Sequence, residues 1–97
     1  MTVYAGERTM DGVRVTVDGR PLPSHENVAL LSRNGFEWSY EGPEPDQLAL
    51  ALLMDHLRDP ARALALHSRF MREVVANFGN DWELEGADVD AVLAGWA

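Results

Sequence analysis

The chain has 97 residues, 46% hydrophobic and 25% charged, with 16 acidic against 8 basic residues and a net charge of −8. These are globular proportions, and the length suits one domain, residues 1–97, that buries roughly 60–65% of the surface of its unfolded chain. The charge argues against nucleic-acid and anionic-membrane partners, which repel an acidic protein, and the lack of cysteine excludes disulfides, thiolate metal sites and cysteine nucleophiles.

The first forty residues read as β. "TVYA" (Thr2–Ala5) is a short edge-like strand. "VRVTV" alternates, with Val13, Val15 and Val17 on one side and Arg14 and Thr16 on the other. Asp18-Gly19 is a two-residue hairpin signal, and Arg20 to Leu22 form a short return arm that Pro21 and Pro23 keep at an edge. Val28 to Ser32 is a further candidate strand. Asn34-Gly35 signals another turn, after which "FEWSY" alternates with Phe36, Trp38 and Tyr40 on one face.

The remainder reads as helical. Pro43 and Pro45 suit a first helical turn, Glu44 and Asp46 complement its positive end, and the helix is expected to run to about Leu57. Leu48 to Met54 carry no polar side chain, so this helix is apolar all round and must be wrapped by the rest of the fold or by a second copy. Asp59 as N-cap and Pro60 start a second helix, expected to reach Asn77 or Phe78 with Gly79 closing it. Its apolar sector holds Ala63, Leu64, His67, Phe70, Met71, Val74 and Phe78. After a turn at Asn80-Asp81, "WEL" is a short strand, and Glu85 or Gly86 begins a last helix carrying Val89, Val92, Leu93 and Trp96. The expected fold is α+β: an antiparallel sheet of three to five strands, mostly N-terminal, with one face covered by two to three helices.

With those elements placed, "GFEWSYEGPEPDQLALALL" (Gly35–Leu53), "ALALHSRFMREVVANF" and "DWELEGADVDAVL" resemble a family of small uncharacterised prokaryotic and phage-associated proteins. In that family a strand resembling GFxWGY runs through a glycine-proline loop into a helix reading QLALA. "YAGER" resembles its Y-x-G-x-R opening. The resemblance implies no known activity. The family loop is richer in Gly and Ser, whereas this chain has Ser39, Glu41, Glu44, Pro45 and Asp46. Small residues at a helix N-terminus would suit an anion, and these carboxylates occupy that place instead.

No catalytic, cofactor-binding or metal-binding residues emerge. Phe36, Trp38 and Tyr40 are similar to a base-stacking platform, yet no basic cluster frames them, and the core face of a sheet is the simpler reading. His25 sits in a polar loop, His56 near a helix end and His67 at the rim of an apolar sector, with no ligand spacing between them. Ser24-His25-Glu26 are adjacent and do not face one another. The candidate interaction surface consists of Arg62, Arg69 and Arg72, a stripe about 80° wide on the second helix, and Asp81, Glu83, Glu85, Asp88 and Asp90 in the acidic C-terminal segment. For the arginines a solvated face, and for the acids helix-start positions, are the simpler readings.

The expectation is a non-enzymatic, protein-interaction or accessory module. Its protein partner is unknown, a homodimer is a candidate because of the apolar helix, and neither nucleic acid nor membrane is expected to bind. Two other readings stay open: a small acidic regulator that mimics nucleic acid or inhibits a host protein, and an enzyme with an unrecognised carboxylate and histidine site. The start of the chain has no basic, apolar leader, and its longest apolar run is far short of the ~18–20 residues of a membrane span, so the expected compartment is the cytoplasm.

Overall fold

The computed structural model describes residues 1–96 as a four-stranded antiparallel sheet and three α-helices, an α+β fold with the strands mostly in the first part of the chain. β1 (Val3–Thr9) turns through Met10-Asp11 into β2 (Gly12–Val17), which turns through Asp18-Gly19 into β3 (Arg20–Pro21). β4 (Trp82–Glu85) arrives from the far end of the sequence and pairs with β1, giving the order β3-β2-β1-β4. Asp18 and Gly19 take φ of 50° and 82°, the left-handed pair that lets a two-residue turn match strand twist.

The register sorts the side chains. Tyr4 lies opposite Val17 on one neighbour and Leu84 on the other, and Gly6 opposite Val15 and Trp82. These residues form the inner face, and all of them are buried. Ala5, Glu7, Arg14, Thr16 and Glu83 share the other face, where the three charged residues are exposed. The strand expected at Thr2–Ala5 is therefore longer than the sequence suggested, and it is interior rather than an edge. Its polar half, "ERT", is exposed, with Glu7 on the open face and Arg8 bonded to Glu37 (2.8 Å) and Asn80 (2.7 Å). Gly6 sits in the middle because a Cβ there would lie 2.4 Å from the Trp82 indole.

α1 (Pro43–Leu57) starts at its proline pair as expected. Leu48 to Leu53 have no accessible surface, and fully burying each leucine contributes roughly 1.5–3 kcal/mol. The sheet, α2 (Pro60–Glu73), α3 (Gly86–Gly95) and the irregular stretch between Leu22 and Gly42 supply the cover. One chain thus wraps Leu48 to Leu53 by itself.

Gln47 fastens the irregular stretch onto α1. Its side chain is fully buried; Oε1 accepts from the N–H of Leu31 (2.7 Å) and Ser32 (3.1 Å), and Nε2 donates to the carbonyls of Ser24 (2.8 Å) and Ala29 (3.2 Å). With its hydrogen-bonding capacity filled, the amide replaces the ladder partners that a strand would have had. Val28 to Ser32 is consequently a loop and not the expected strand.

Phe36 to Tyr40 is not a strand either. The segment alternates and buries Trp38, but Ser39 takes a left-handed φ of 78° and Tyr40 remains 44% exposed. Its polar groups find single partners near the end of α2: Ser39 N–H to the Val75 carbonyl (3.2 Å), Ser39 Oγ to the Phe78 carbonyl (2.6 Å) and Trp38 Nε1 to the Asn80 carbonyl (3.1 Å). Alternation records which side chains point inward, and an extended loop lying on a core meets that pattern without a ladder.

α2 also differs from expectation. It stops at Glu73, Val74 bends out at φ −119°, and Val75–Asn77 tighten into a 3₁₀ turn. Two β-branched valines in a row are weak helix formers, and buried Val75 is held by Ser39. Gly79 does not have a left-handed φ and is no helix cap. Leu64, placed in the apolar sector by periodicity, is 45% exposed; Leu66 packs on the core instead. Among the described residues, no helix is long and apolar enough to cross a membrane.

Candidate functional site

Local signals set the directions of α2 and α3. Asp59 Oδ1 accepts from the Arg62 N–H (3.2 Å) ahead of Pro60, and Glu85 with Asp88 forms a reciprocal capping box that starts α3 directly after β4. The two helices leave between them a groove of about 320 Å³ lined by Arg62, Ala65, Leu66, Leu93 and Trp96, most of it apolar.

Trp96 ties the groove to α2. Its ring meets Phe70 edge-on at 6.4 Å, its Nε1 donates to Glu73 Oε1 (3.2 Å), and the Arg69 guanidinium lies 4.4 Å above it. Arg69 Nε also donates to Glu73 Oε2 at 2.6 Å. This hydrogen bond, assisted by the indole N–H, holds the Glu73 carboxyl below its ordinary pKa. Arg72 donates to Ser68 Oγ (2.7 Å), and among the described residues neither Arg62 nor Arg72 has a carboxylate partner. Of the arginine stripe, Arg62 thus lines the apolar depression and Arg69 covers its Trp96 wall.

The five acids do not form one surface. Glu85 and Asp88 are occupied in the capping box, with Asp88 Oδ2 accepting from the Glu85 N–H at 2.8 Å. Asp90 lies 2.6 Å from His56 Nε2. Asp81 and Glu83 are exposed, and Asp81 lines a separate hollow of about 260 Å³ over the open face of the sheet, with Glu7, Arg14 and Thr16. Ala97, the last residue of the acidic segment, lies outside the described residues.

The aromatic trio divides as well. Trp38 is fully buried, edge-on to Trp82 at 5.8 Å and beneath Arg8 at 4.8 Å, whereas Tyr40 reaches out to Glu44 (3.0 Å). Base stacking on Trp38 is therefore ruled out by its burial, and only this member of the trio occupies the core outright. His67 Nδ1 meets Asp46 Oδ1 at 2.6 Å, joining α2 to the first turn of α1. Among the described residues, no three of His, Asp and Glu are grouped to hold a metal ion. Histidine and carboxylate meet directly at His56–Asp90 and His67–Asp46, and they also share two hollows at the far end of α1, His56 with Asp18 and Asp55 in one and His25 with Asp55 in the other.

Among the side-chain pairings not foreseen from sequence are Gln47 with its loop, His67 with Asp46, and Tyr4 with Asp55. Only the first left a local signal, a lone amide opening an otherwise apolar run. The groove was half visible. The i,i+4 spacing of Arg69 and Glu73 is legible on one helix, while the arrival of Trp96 beside them is not.

Among curated proteins and among solved structures no match was found. The architecture of paired N-terminal strands, a wrapped apolar helix and a returning fourth strand spans nearly the whole chain, and so does a family match: residues 4–95 fit the model of DUF6166, a family of unknown function, and the chain belongs to that family.

Proposed function

We propose that this protein is a non-enzymatic interaction module that docks an acidic, apolar-faced helical segment of a partner protein in the groove between α2 and α3. The observation that carries the reading is an apolar floor (Ala65, Leu66, Leu93, Trp96) bordered by Arg62, with Arg69 and Arg72 on the same helix, in a chain whose net charge is −8. A groove between two helices accepts a third helix by its apolar face, and flanking charges choose partner and register more than they add affinity. On a chain of net charge −8, Arg62 and Arg72, which have no carboxylate partner among the described residues, favour an acidic partner on this helix. The resemblance to phage-associated proteins supports a partner in a host cell, where such a module would regulate or inhibit the protein it binds.

The test is capture from native lysate by wild type, by Leu93→Arg with Arg62→Glu, and by Glu83→Arg on the open sheet face as a control. A specific protein held by wild type and the control and released by the groove variant supports the reading. A partner held by all three places the interface elsewhere, and capture of chaperones alone removes the proposal. Light scattering distinguishes a second copy: a dimer that the groove variant dissolves would make this chain its own partner.

A further inference from the structure

At the C-terminal end of α1 two hollows share Asp55 and Arg58 in their linings. The first, of about 180 Å³, is strongly polar and includes Tyr4, Asp18, Arg20, Asp55, His56 and Arg58 in its lining, with His56 Nε2 already engaged by Asp90 at 2.6 Å. The second, of about 300 Å³, is mainly apolar and adds His25 beside Pro23, Met54 and Pro60. Two aspartates and two arginines therefore surround the first hollow, and among the described residues no two of them form an ion pair within 4.0 Å.

The hydrogen bonds show what is still free. Tyr4 donates to Asp55 Oδ2 at 2.7 Å, and the Val3 N–H donates to Asp18 Oδ1 at 2.9 Å. Burial and the Asp55 hydrogen bond keep the Tyr4 phenol protonated, so it acts as a donor and does not compete as a base. Asp55 Oδ1, Asp18 Oδ2 and both guanidinium groups make no hydrogen bond within the described chain. In the adjoining hollow, His25 Nε2 is covered and has no partner, on a residue held at a left-handed φ of 57°.

Balanced charge selects the ligand. A simple anion would meet two carboxylates and the negative end of α1, and a simple cation would meet two guanidinium groups. A molecule carrying both signs a few bonds apart satisfies all four. We propose that the double hollow binds a free α-amino acid with an apolar side chain. Its carboxylate faces Arg20 and Arg58, its ammonium faces Asp55 and Asp18, and its side chain lies against Pro23, Met54 and Pro60 beside His25. This site is separate from the groove, and neither proposal depends on the other.

The experiment is a titration of the amide spectrum of the 15N-labelled protein with L-phenylalanine, with 3-phenylpropanoate, which lacks the ammonium, and with 2-phenylethylamine, which lacks the carboxylate. L-Phenylalanine is expected to shift the amides of Arg20, His25, Asp55 and Arg58, and each analogue to bind about tenfold or more weakly, the usual cost of losing hydrogen bonds to a charged group. Asp55→Asn keeps an acceptor for Tyr4, Arg58→Asn keeps a residue that tolerates left-handed backbone, and Arg20→Gln lies on the exposed β3, so all three are expected to fold. Each should weaken L-phenylalanine binding by a similar factor. The proposal is overturned by the absence of shifts up to the solubility limit, by equal binding of the three probes, or by folded variants that bind as wild type does.

Discussion

The buried Oε1 of Gln47 accepts the Leu31 N–H at 2.7 Å, joining the first turns of the apolar helix to a loop 16 residues earlier in the chain. With its three companion bonds, this contact gives four backbone groups of a long irregular segment their partners as it lies over a core helix. Gln47→Leu is therefore expected to destabilise the fold by about 3 kcal/mol or more, because each buried group left unpaired costs ≈1–3 kcal/mol. Urea unfolding measures the loss. Hydrogen exchange should show the amides of Leu31 and Ser32 opening first, and a variant as stable as wild type would remove Gln47 from this role.

Gly6 tests the packing on the other side of the core. A Cβ there meets the Trp82 ring at 2.4 Å, and that ring is already stacked on Phe78 at 4.3 Å. Gly6→Ala is expected to cost about 1–3 kcal/mol as overpacking. The φ at Gly6 is not left-handed, so relief of the clash should restore stability. Gly6→Ala combined with Trp82→Phe is predicted to be less damaged than the sum of the two single changes, as measured by thermal unfolding.

Tyr4 predicts the alkaline behaviour. Burial, and then the hydrogen bond to Asp55, raise its phenol pKa above the ordinary value of 10.0. The neutral form is the one the folded state favours, so this contribution is complete below pH 10 and is lost as the pH climbs beyond it. Stability should decline above about pH 10, with phenolate absorbance from Tyr4 appearing as the protein unfolds. Tyr4→Phe should flatten this decline while lowering stability at neutral pH, since Asp55 loses its donor. An unchanged alkaline slope would refute the assignment.

Glu73 predicts the behaviour at the acid end. Its carboxyl lies below the ordinary value of 4.5, chiefly through the Arg69 hydrogen bond. A depressed carboxyl contributes stability above its unfolded pKa and loses it as the pH falls through its folded pKa. Because the pair is exposed, the effect on stability should be small. Carbon-detected titration is the more direct measurement: Arg69→Ala should return Glu73 most of the way toward 4.5, with the Trp96 indole keeping a residual depression.

Much of the fold was legible because its signals are local. The Asp18-Gly19 turn, the proline pair at Pro43 and Pro45, the Asp59-Pro60 start and the Glu85-Gly86 start each act within a few residues, and each element begins where those residues place it. Phe36 to Tyr40 misled for a physical reason. Period-two alternation reports burial of every second side chain, and an extended loop over a core produces it as readily as a ladder does. The candidate sites were the least legible part. Arg62, Arg69 and Arg72 could be placed on one stripe, but not beside Trp96, and nothing near Asp55 in sequence announces Tyr4 or Arg20.

By itself, then, the sequence determined the class of the fold, the starts of its helices and the need to wrap Leu48 to Leu53, because propensity, capping and hydrophobic period operate over one or two turns of chain. Only the tertiary structure decided what does the wrapping and what is left open. Whether β1 is an edge or an interior strand depends on β4, more than seventy residues away. How the irregular stretch joins that cover depends on one glutamine finding four backbone partners in a distant loop. The groove and the double hollow exist only where α2, α3 and the strand ends come to rest, and long-range packing of that kind has no counterpart in local sequence.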